Sequence, residues 1–258
     1  MRETHSYRTQ AIVLGHIEYG EADRIIKLFT AEKGKITAIA KGVRKIRSRK
    51  AGHLEPFTRA SLFLAKGRNL DIITQAETLD SYIGLREDLE RLALASYVVE
   101  VVDRFTYEEG QNIGIFRLLA NTLSRLETLP NAETVVHYYE TRLLDLLGFR
   151  PQLFECVNCG SQIREEDQSF SPLTGGVLCP KCGSSQSDAW SVKKDTLRYW
   201  RHMQRSKWQQ VESVVIPNAI ETRLEDLIQR YLTYLLERSL NSPEFLREIR
   251  RKPDGLES

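Results

Sequence analysis

Three apolar, β-branched segments follow one another near the start of the chain: Tyr7-Arg-Thr-Gln-Ala-Ile-Val-Leu-Gly-His-Ile-Glu-Tyr19, Asp23-Arg-Ile-Ile-Lys-Leu-Phe-Thr30 and Lys35-Ile-Thr-Ala-Ile-Ala-Lys41. Each alternates with a period near two and is rich in Ile, Val, Thr or Tyr, which is the pattern of half-buried strands. Ala31-Glu-Lys-Gly34 between the second and third is a short glycine-containing hairpin loop. Phe57 to Lys66 and Leu70 to Ala76 form a second pair across Gly67-Arg-Asn69. Five strands in so short a span suit a small closed barrel, because closure removes exposed edges. An OB-like barrel leads; an SH3-like barrel has a similar strand count and stays open on the strand pattern alone.

Beyond residue 80 the period changes. Leu85, Leu89, Leu92, Val98, Val101, Val102 and Phe105 recur at steps of three and four and predict a helix. Ile113 to Leu126 and Ala132 to Leu147 predict two more, the last stopped by Gly148 and Pro151. Helical periodicity returns over Lys193 to Met203 and Ala219 to Leu240, with a short final helix at Glu244 to Arg250. The expected organisation is α+β and multi-domain. It comprises an OB-fold barrel over 1–80, a helical bundle whose two parts are 81–150 and 191–250, an inserted four-cysteine module over 151–190, and a flexible tail over 251–258.

The whole chain has 258 residues, 41% hydrophobic and 28% charged, with a net charge of +2. That composition excludes a disordered chain. Its apolar runs are broken too early to span a bilayer, and the N-terminus lacks the apolar core of a secretory signal. The charge is unevenly spread. Residues 1–80 hold 15 Lys and Arg against 9 Asp and Glu, and the remainder holds 22 against 26. A basic end on a mildly acidic body suits a polyanionic partner.

Lys41-Gly-Val-Arg44-Lys45-Ile-Arg47-Ser-Arg49-Lys50 places six cations in ten residues with no acid. Between the third and fourth strands of a barrel it would serve as a phosphate-binding loop, with Arg8, Arg24 and Lys35 extending the field. Tyr7, Tyr19, Phe29, Phe57 and Phe63 are candidates for stacking on bases, at positions that also suit a barrel core. A second basic and aromatic group, Arg198, Arg201, Arg205 and Lys207 interleaved with Tyr199, Trp200 and Trp208, suits a further nucleic-acid or protein contact.

All four cysteines lie in two pairs, Cys156-Val-Asn-Cys159 and Cys179-Pro-Lys-Cys182, separated by nineteen residues. Two residues between thiolates let a tight knuckle aim both sulfurs at one point, and two knuckles give the four soft ligands of a closed structural zinc site. Gly160 and Gly183 after each pair suit turns with positive φ. Ser169 to Leu178 reads as the hairpin that returns the second knuckle to the first. Iron–sulfur ligation uses the same ligand type; the even pairing and the glycines favour one Zn²⁺. With four protein ligands the metal has no open position and is structural. Walker-type, nucleophile-elbow and zinc-protease motifs are absent, so no enzyme is expected. The acidic groups Glu21/Asp23 and Glu165/Glu166/Asp167 are the only starting point for a metal-dependent nuclease.

In order along the chain, these features resemble the RecO family of bacterial recombination mediators. The resemblance rests on Tyr19-Gly-Glu-Ala-Asp23-Arg24, Leu28-Phe29-Thr30, Glu32-Lys-Gly34-Lys35 and Ala40-Lys41-Gly42-Val43-Arg44-Lys45 in the barrel. It also rests on Leu146-Leu147-Gly148-Phe149-Arg150-Pro151 leading into Cys156. It implies a DNA repair and recombination role: binding single- and double-stranded DNA, annealing complementary strands, and loading recombinase together with RecR in the RecF pathway. It further implies contact with the C-terminal tail of single-strand-binding protein, and a cytoplasmic, nucleoid-associated location. DNA contact is implied at Arg24, Lys35, Lys41, Arg44 and Lys45, which lie inside the matching motifs; Arg47, Arg49 and Lys50 follow from proximity and charge. The contrasting expectation is a zinc-containing protein–protein adaptor whose basic loop is incidental.

Overall fold

The computed structural model describes residues 6–108 and 110–239 and divides into two compact units at Leu146/Leu147. The final helix expected at Glu244 to Arg250 and the tail over 251–258 lie outside the described residues.

The first unit opens with five strands, β1 (Ser6–Tyr19), β2 (Asp23–Thr30), β3 (Gly34–Ala40), β4 (Arg59–Ala65) and β5 (Asp71–Asp80). They close into a barrel of order β1-β2-β3-β5-β4, with β4 paired back to β1. The β3–β5 pair is parallel and the others are antiparallel. This five-stranded Greek-key closure is the OB topology and removes the SH3-like alternative. The fourteen-residue β1 serves two neighbours. Residues 6–12 pair with β4 and 11–19 with β2, and the register shifts between Val13 and Gly15, where the strand turns the corner of the barrel. Inward positions alternate as the sequence does, so Ala11, Val13, Ile26, Leu28, Leu62, Leu64 and Ile73 fill the interior. The fourth strand starts later than its apolar pattern suggests. Phe57 is buried with φ +71°, outside the range of a strand, and its amide donates to the Val13 carbonyl at 2.8 Å.

Helices α1 (Gly84–Glu87), α2 (Leu89–Phe105), α3 (Ile113–Thr128) and α4 (Ala132–Leu146) complete this unit. The single helix expected from Leu85 is broken at Asp88, whose carboxylate caps α2 by accepting from the amides of Glu90 and Arg91. Helices α2 and α4 are joined through polar groups in their interior. Tyr139 donates to the Val98 carbonyl at 2.8 Å, and the fully buried Glu140 is shared by Tyr97 and His137.

The second unit is built on a small sheet of order β7-β6-β8, formed by β6 (Gln168–Ser171), β7 (Gly176–Leu178) and β8 (Trp190–Val192). The expected hairpin is present, with Ser169 opposite Leu178 and Phe170 opposite Val177. Phe170 is wholly buried and meets Trp190, Trp200 and Tyr231 at ring-centroid distances of 5.9, 5.5 and 5.1 Å. It thereby ties the sheet to α6 (Lys194–Arg205) and α8 (Asn218–Ser239). Two single-turn helices, α5 (Pro180–Gly183) and α7 (Trp208–Val211), complete this unit.

Leu62 is fully buried at the centre of the barrel cluster. The Leu62→Ala variant is expected to lose about 3 kcal/mol of stability, read as a lower urea midpoint with an unchanged slope; a loss under 1 kcal/mol would place the barrel core elsewhere.

Candidate nucleic-acid interface and metal centre

The connection between β3 and β4 runs from Lys41 to Thr58 and carries the basic stretch as a series of turns followed by a short 3-10 segment, Ala51–His53. It is staked to the barrel at several points. Asp23 accepts from the Gly42 amide at 2.7 Å, and the Arg44 amide donates to the Ala22 carbonyl at 2.9 Å. The Lys50 ammonium donates to the carbonyls of Lys41 (3.1 Å) and Ile73 (3.0 Å), and His53 Nδ1 accepts from the Thr78 amide at 3.2 Å. Gly42 adopts φ +65°, which lets the chain reverse directly after β3.

The fold sorts the eight expected DNA-contacting cations into two groups. Arg24 pairs with Glu55 at 3.2 Å. Lys35 is drawn against α2, donating to the Asp103 carbonyl at 2.6 Å and pairing with its carboxylate at 3.2 Å. Arg44 bridges to Glu18 at 3.1 Å and to the carbonyls of Gly20 and Glu21. Lys50 is held as above, and burial lowers its pKa while Asp23 opposes the shift. Arg24, Arg44 and Lys50 build the loop and its seat, and Lys35 ties the start of β3 to α2. Lys41, Lys45, Arg47 and Arg49 are exposed, and their side chains meet no acidic or hydrogen-bonding partner among the described residues. Arg8, on the neighbouring β1, is likewise exposed.

The aromatic candidates divide as sharply. Phe29 and Phe57 are buried and cannot stack on a base. Tyr7 donates to Asp71 at 2.5 Å and has the Lys33 ammonium 3.3 Å above its ring. Tyr19 is exposed at the end of β1, between Glu18 and Gly20, two of the residues that hold Arg44. Phe63 is exposed on β4. Ile46, at the tip of the loop, is fully exposed, and its sequence pattern gave no sign of a contact role.

One aspartate of each acidic group has structural employment. Asp23 holds the loop, and Asp167 accepts from the Lys193 ammonium (2.7 Å) and the Lys194 amide (3.1 Å). Among the described residues, the one cluster of metal-type ligands is formed by the cysteines.

The four sulfurs lie within 4.8 Å of one another, with Cys159 and Cys179 3.9 Å apart and none joined in a disulfide. The first knuckle is a turn in which the Gly160 amide donates to the Cys156 carbonyl at 2.8 Å, and Gly160 has φ +71°. The second is α5, where the Gly183 amide donates to the Cys179 carbonyl at 2.8 Å. Gly183 lies outside the positive-φ region; a Cβ there would come within 2.5 Å of Ser169 Oγ, so close packing, not turn geometry, requires the glycine. The environment favours thiolates at the first knuckle. Hydrogen bonds from Ser161 bring Cys159 down to about 6. At Cys156 burial acts upward, and amides of Cys179, Cys159 and Asn158 outweigh it. At Cys182 a hydrogen bond with Asn158 acts downward, but the neighbouring sulfurs raise the thiol to about 11. Converging sulfurs resist ionising together unless a cation lies between them, and the donor set fits a soft divalent ion.

Family models for the N-terminal and C-terminal regions of recombination protein O match residues 1–82 and 86–244. The chain belongs to the RecO family. It is 40% identical over 245 residues to the DNA repair protein RecO of Roseiflexus sp. (strain RS-1), covering 95% of this chain and 86% of that one. It is 34% identical over 238 residues to the DNA repair protein RecO of Dehalococcoides mccartyi (strain ATCC BAA-2266 / KCTC 15142 / 195), covering 92% and 94%. The RecO resemblance inferred from the barrel and zinc-junction motifs is thereby established over nearly the full length. Among the described residues of this RecO chain no helix is long and apolar enough to cross a membrane.

Asp103 receives both Lys27 (2.8 Å) and Lys35. Burial pushes its carboxyl upward, yet hydrogen bonds from the two lysines hold it below the ordinary range. A depressed carboxylate stabilises the fold above the unfolded-state value of about 3.9, and that contribution disappears as pH falls through the folded-state value. The Asp103→Asn variant is therefore expected to be less stable than wild type by about 1 kcal/mol at pH 7, with the gap closing between pH 5 and pH 2 in urea titrations. A gap that stays constant with pH would remove the ionic role of Asp103.

Proposed function

We propose that this RecO-family DNA repair protein binds single- and double-stranded DNA through the Lys41–Lys50 loop and anneals complementary strands. We further propose that it acts with RecR and the single-strand-binding protein tail to load recombinase in the RecF pathway. The observation that carries the DNA-binding reading is the set of four exposed cations without a partner among the described residues, Lys41, Lys45, Arg47 and Arg49, on a loop that other cations and carboxylates fasten to an OB barrel. Phosphates neutralised there release counterions, and Tyr19 offers a ring for an unstacked base. Annealing on such a surface needs no bond-making step. A cationic track lowers the repulsion between two phosphate chains and raises their effective concentration, after which base pairing supplies the free energy. The protein is accordingly a mediator and not an enzyme, with a cytoplasmic, nucleoid-associated site of action.

Cys156, Cys159, Cys179 and Cys182 are proposed to hold one structural Zn²⁺. When bound, the ion supplies a cross-link between the two knuckles and no open coordination position. The chain's own residues supply the rest: the amides around Cys156 and the Ser161 hydroxyl stabilise thiolate charge, and Phe170 anchors the hairpin between the knuckles.

With roughly four phosphates contacted, log affinity for an oligothymidylate against log salt should fall with a slope of about −3, read by fluorescence anisotropy. Joint reversal of Lys41, Lys45, Arg47 and Arg49 to Glu should flatten that slope and weaken binding at least tenfold with no change in melting temperature. Unaltered affinity would discard the loop and favour a protein–protein adaptor.

Purified protein should release one zinc per chain to a colorimetric chelator. The Cys156→Ser variant should hold less than a tenth of that and unfold its second unit at lower temperature. Iron in place of zinc, or a metal-free chain of equal stability, would refute the assignment.

A further inference from the structure

Helix α6 is amphipathic. Leu197, Trp200 and Met203 are buried on one side, while Lys194, Arg198, Arg201 and Arg205 recur at helical spacing on the other. That cationic side faces Arg164 and Phe154 across a cavity of about 480 Å³. Five permanent cations line it against two carboxylates, Glu165 and Asp195, and the ion pair found in that lining is a loose one, Asp195 to Arg198 at 3.8 Å.

Arg201 is the centre of the cavity's chemistry. Its Nε donates to the Leu153 carbonyl at 2.7 Å, which fixes the guanidinium plane. Its Nη2 is shielded from solvent and meets no acceptor among the described residues. The centroid of the Phe154 ring lies 5.3 Å from the Arg201 guanidinium and 3.4 Å from that of Arg205, so the two groups are gathered about one aromatic ring. Burial, and after it the charge of Arg205, press against the Arg201 cation. Five cations against two carboxylates leave the cavity with surplus positive charge, which an entering anion would offset.

We propose that this cavity is a binding site for a phosphate monoester, carried by the end of a DNA strand or by a free nucleotide. The donor set distinguishes the phosphate from a carboxylate. A terminal phosphate brings close to two charges and three acceptor oxygens, whereas a carboxylate brings one charge and two oxygens, too few for converging forks from Arg198, Arg201 and Arg205. An internal phosphodiester brings a single charge and only two free oxygens, and so answers this donor set no better than a carboxylate. Only the identity of the carrier rests on the DNA-binding reading given above.

The test is calorimetric titration of the full chain with 5′-phosphorylated thymidine trinucleotide, its 5′-hydroxyl counterpart and thymidine monophosphate. The phosphorylated trinucleotide should bind at least tenfold more tightly than the hydroxyl form. Arg201→Gln should abolish that preference, as should Arg198→Gln, whose side chain is 69% exposed and free of core packing. The variant with Lys41, Lys45, Arg47 and Arg49 reversed should keep it, so failure of the loop assignment and failure of this site give different results. Monophosphate binding as tight as the trinucleotide assigns the site to a nucleotide, and weaker binding assigns it to a strand end; either upholds the phosphate site. Equal affinity for phosphorylated and hydroxyl trinucleotides, a preference that survives both arginine variants, or stronger displacement by an acidic peptide with a free C-terminus would overturn it.

Discussion

The parallel pairing of β3 with β5 governs the first unit. It closes the barrel, and it also means that β3 cannot turn directly back into a neighbouring strand. The chain must leave β3 at Ala40, cross one end of the barrel and re-enter at Arg59 to pair with β1. The intervening stretch holds the densest positive charge in the sequence. Closure thus decides both where the cations sit and that they sit outside. The same closure uses β1 twice, bending it near Gly15 so that one strand completes two halves of the sheet.

Within that frame, charge does two different jobs. Arg24, Arg44 and Lys50 are spent on Glu55, Glu18 and backbone carbonyls, which position the loop and its seat, and Lys35 is spent on Asp103 of α2. The other four cations of the stretch have no such obligations among the described residues. In the second unit the burial of Phe170 plays the organising part, since the aromatic residues of β8, α6 and α8 gather around it. The amphipathic α6 can therefore present a row of arginines outward from an inner side built on Leu197, Trp200 and Met203.

Much of this was legible in the residues, for definite reasons. The period-two alternation of β1 to β3 and the spacing of the cysteines are local patterns, and the structure places both as they read. The choice between OB and SH3 connectivity was not legible, because it depends on which distant strands pair. Nor could composition separate Lys35 from Lys45: the first is claimed by Asp103, 68 residues away, and no local pattern announces that partnership. Gly183 was read as a turn glycine and is instead a packing glycine, a distinction that lies in Ser169 opposite it. On α6 the arginines stood out, but Arg164 and Lys194, which complete the cavity, did not, since one arrives from a separate loop.

The anchoring of the Lys41–Lys50 segment has a consequence for speed. Because Asp23, Lys50 and His53 already hold that backbone in place, little conformational freedom would remain to be lost on binding the proposed DNA ligand, and little would be regained on its release. A fixed track of separate point charges lets a polymer shift by one phosphate at a time, exchanging contacts without ever releasing all of them. On the proposed DNA-binding reading, mobility along the strand would come from the ligand's sliding and not from the protein's bending.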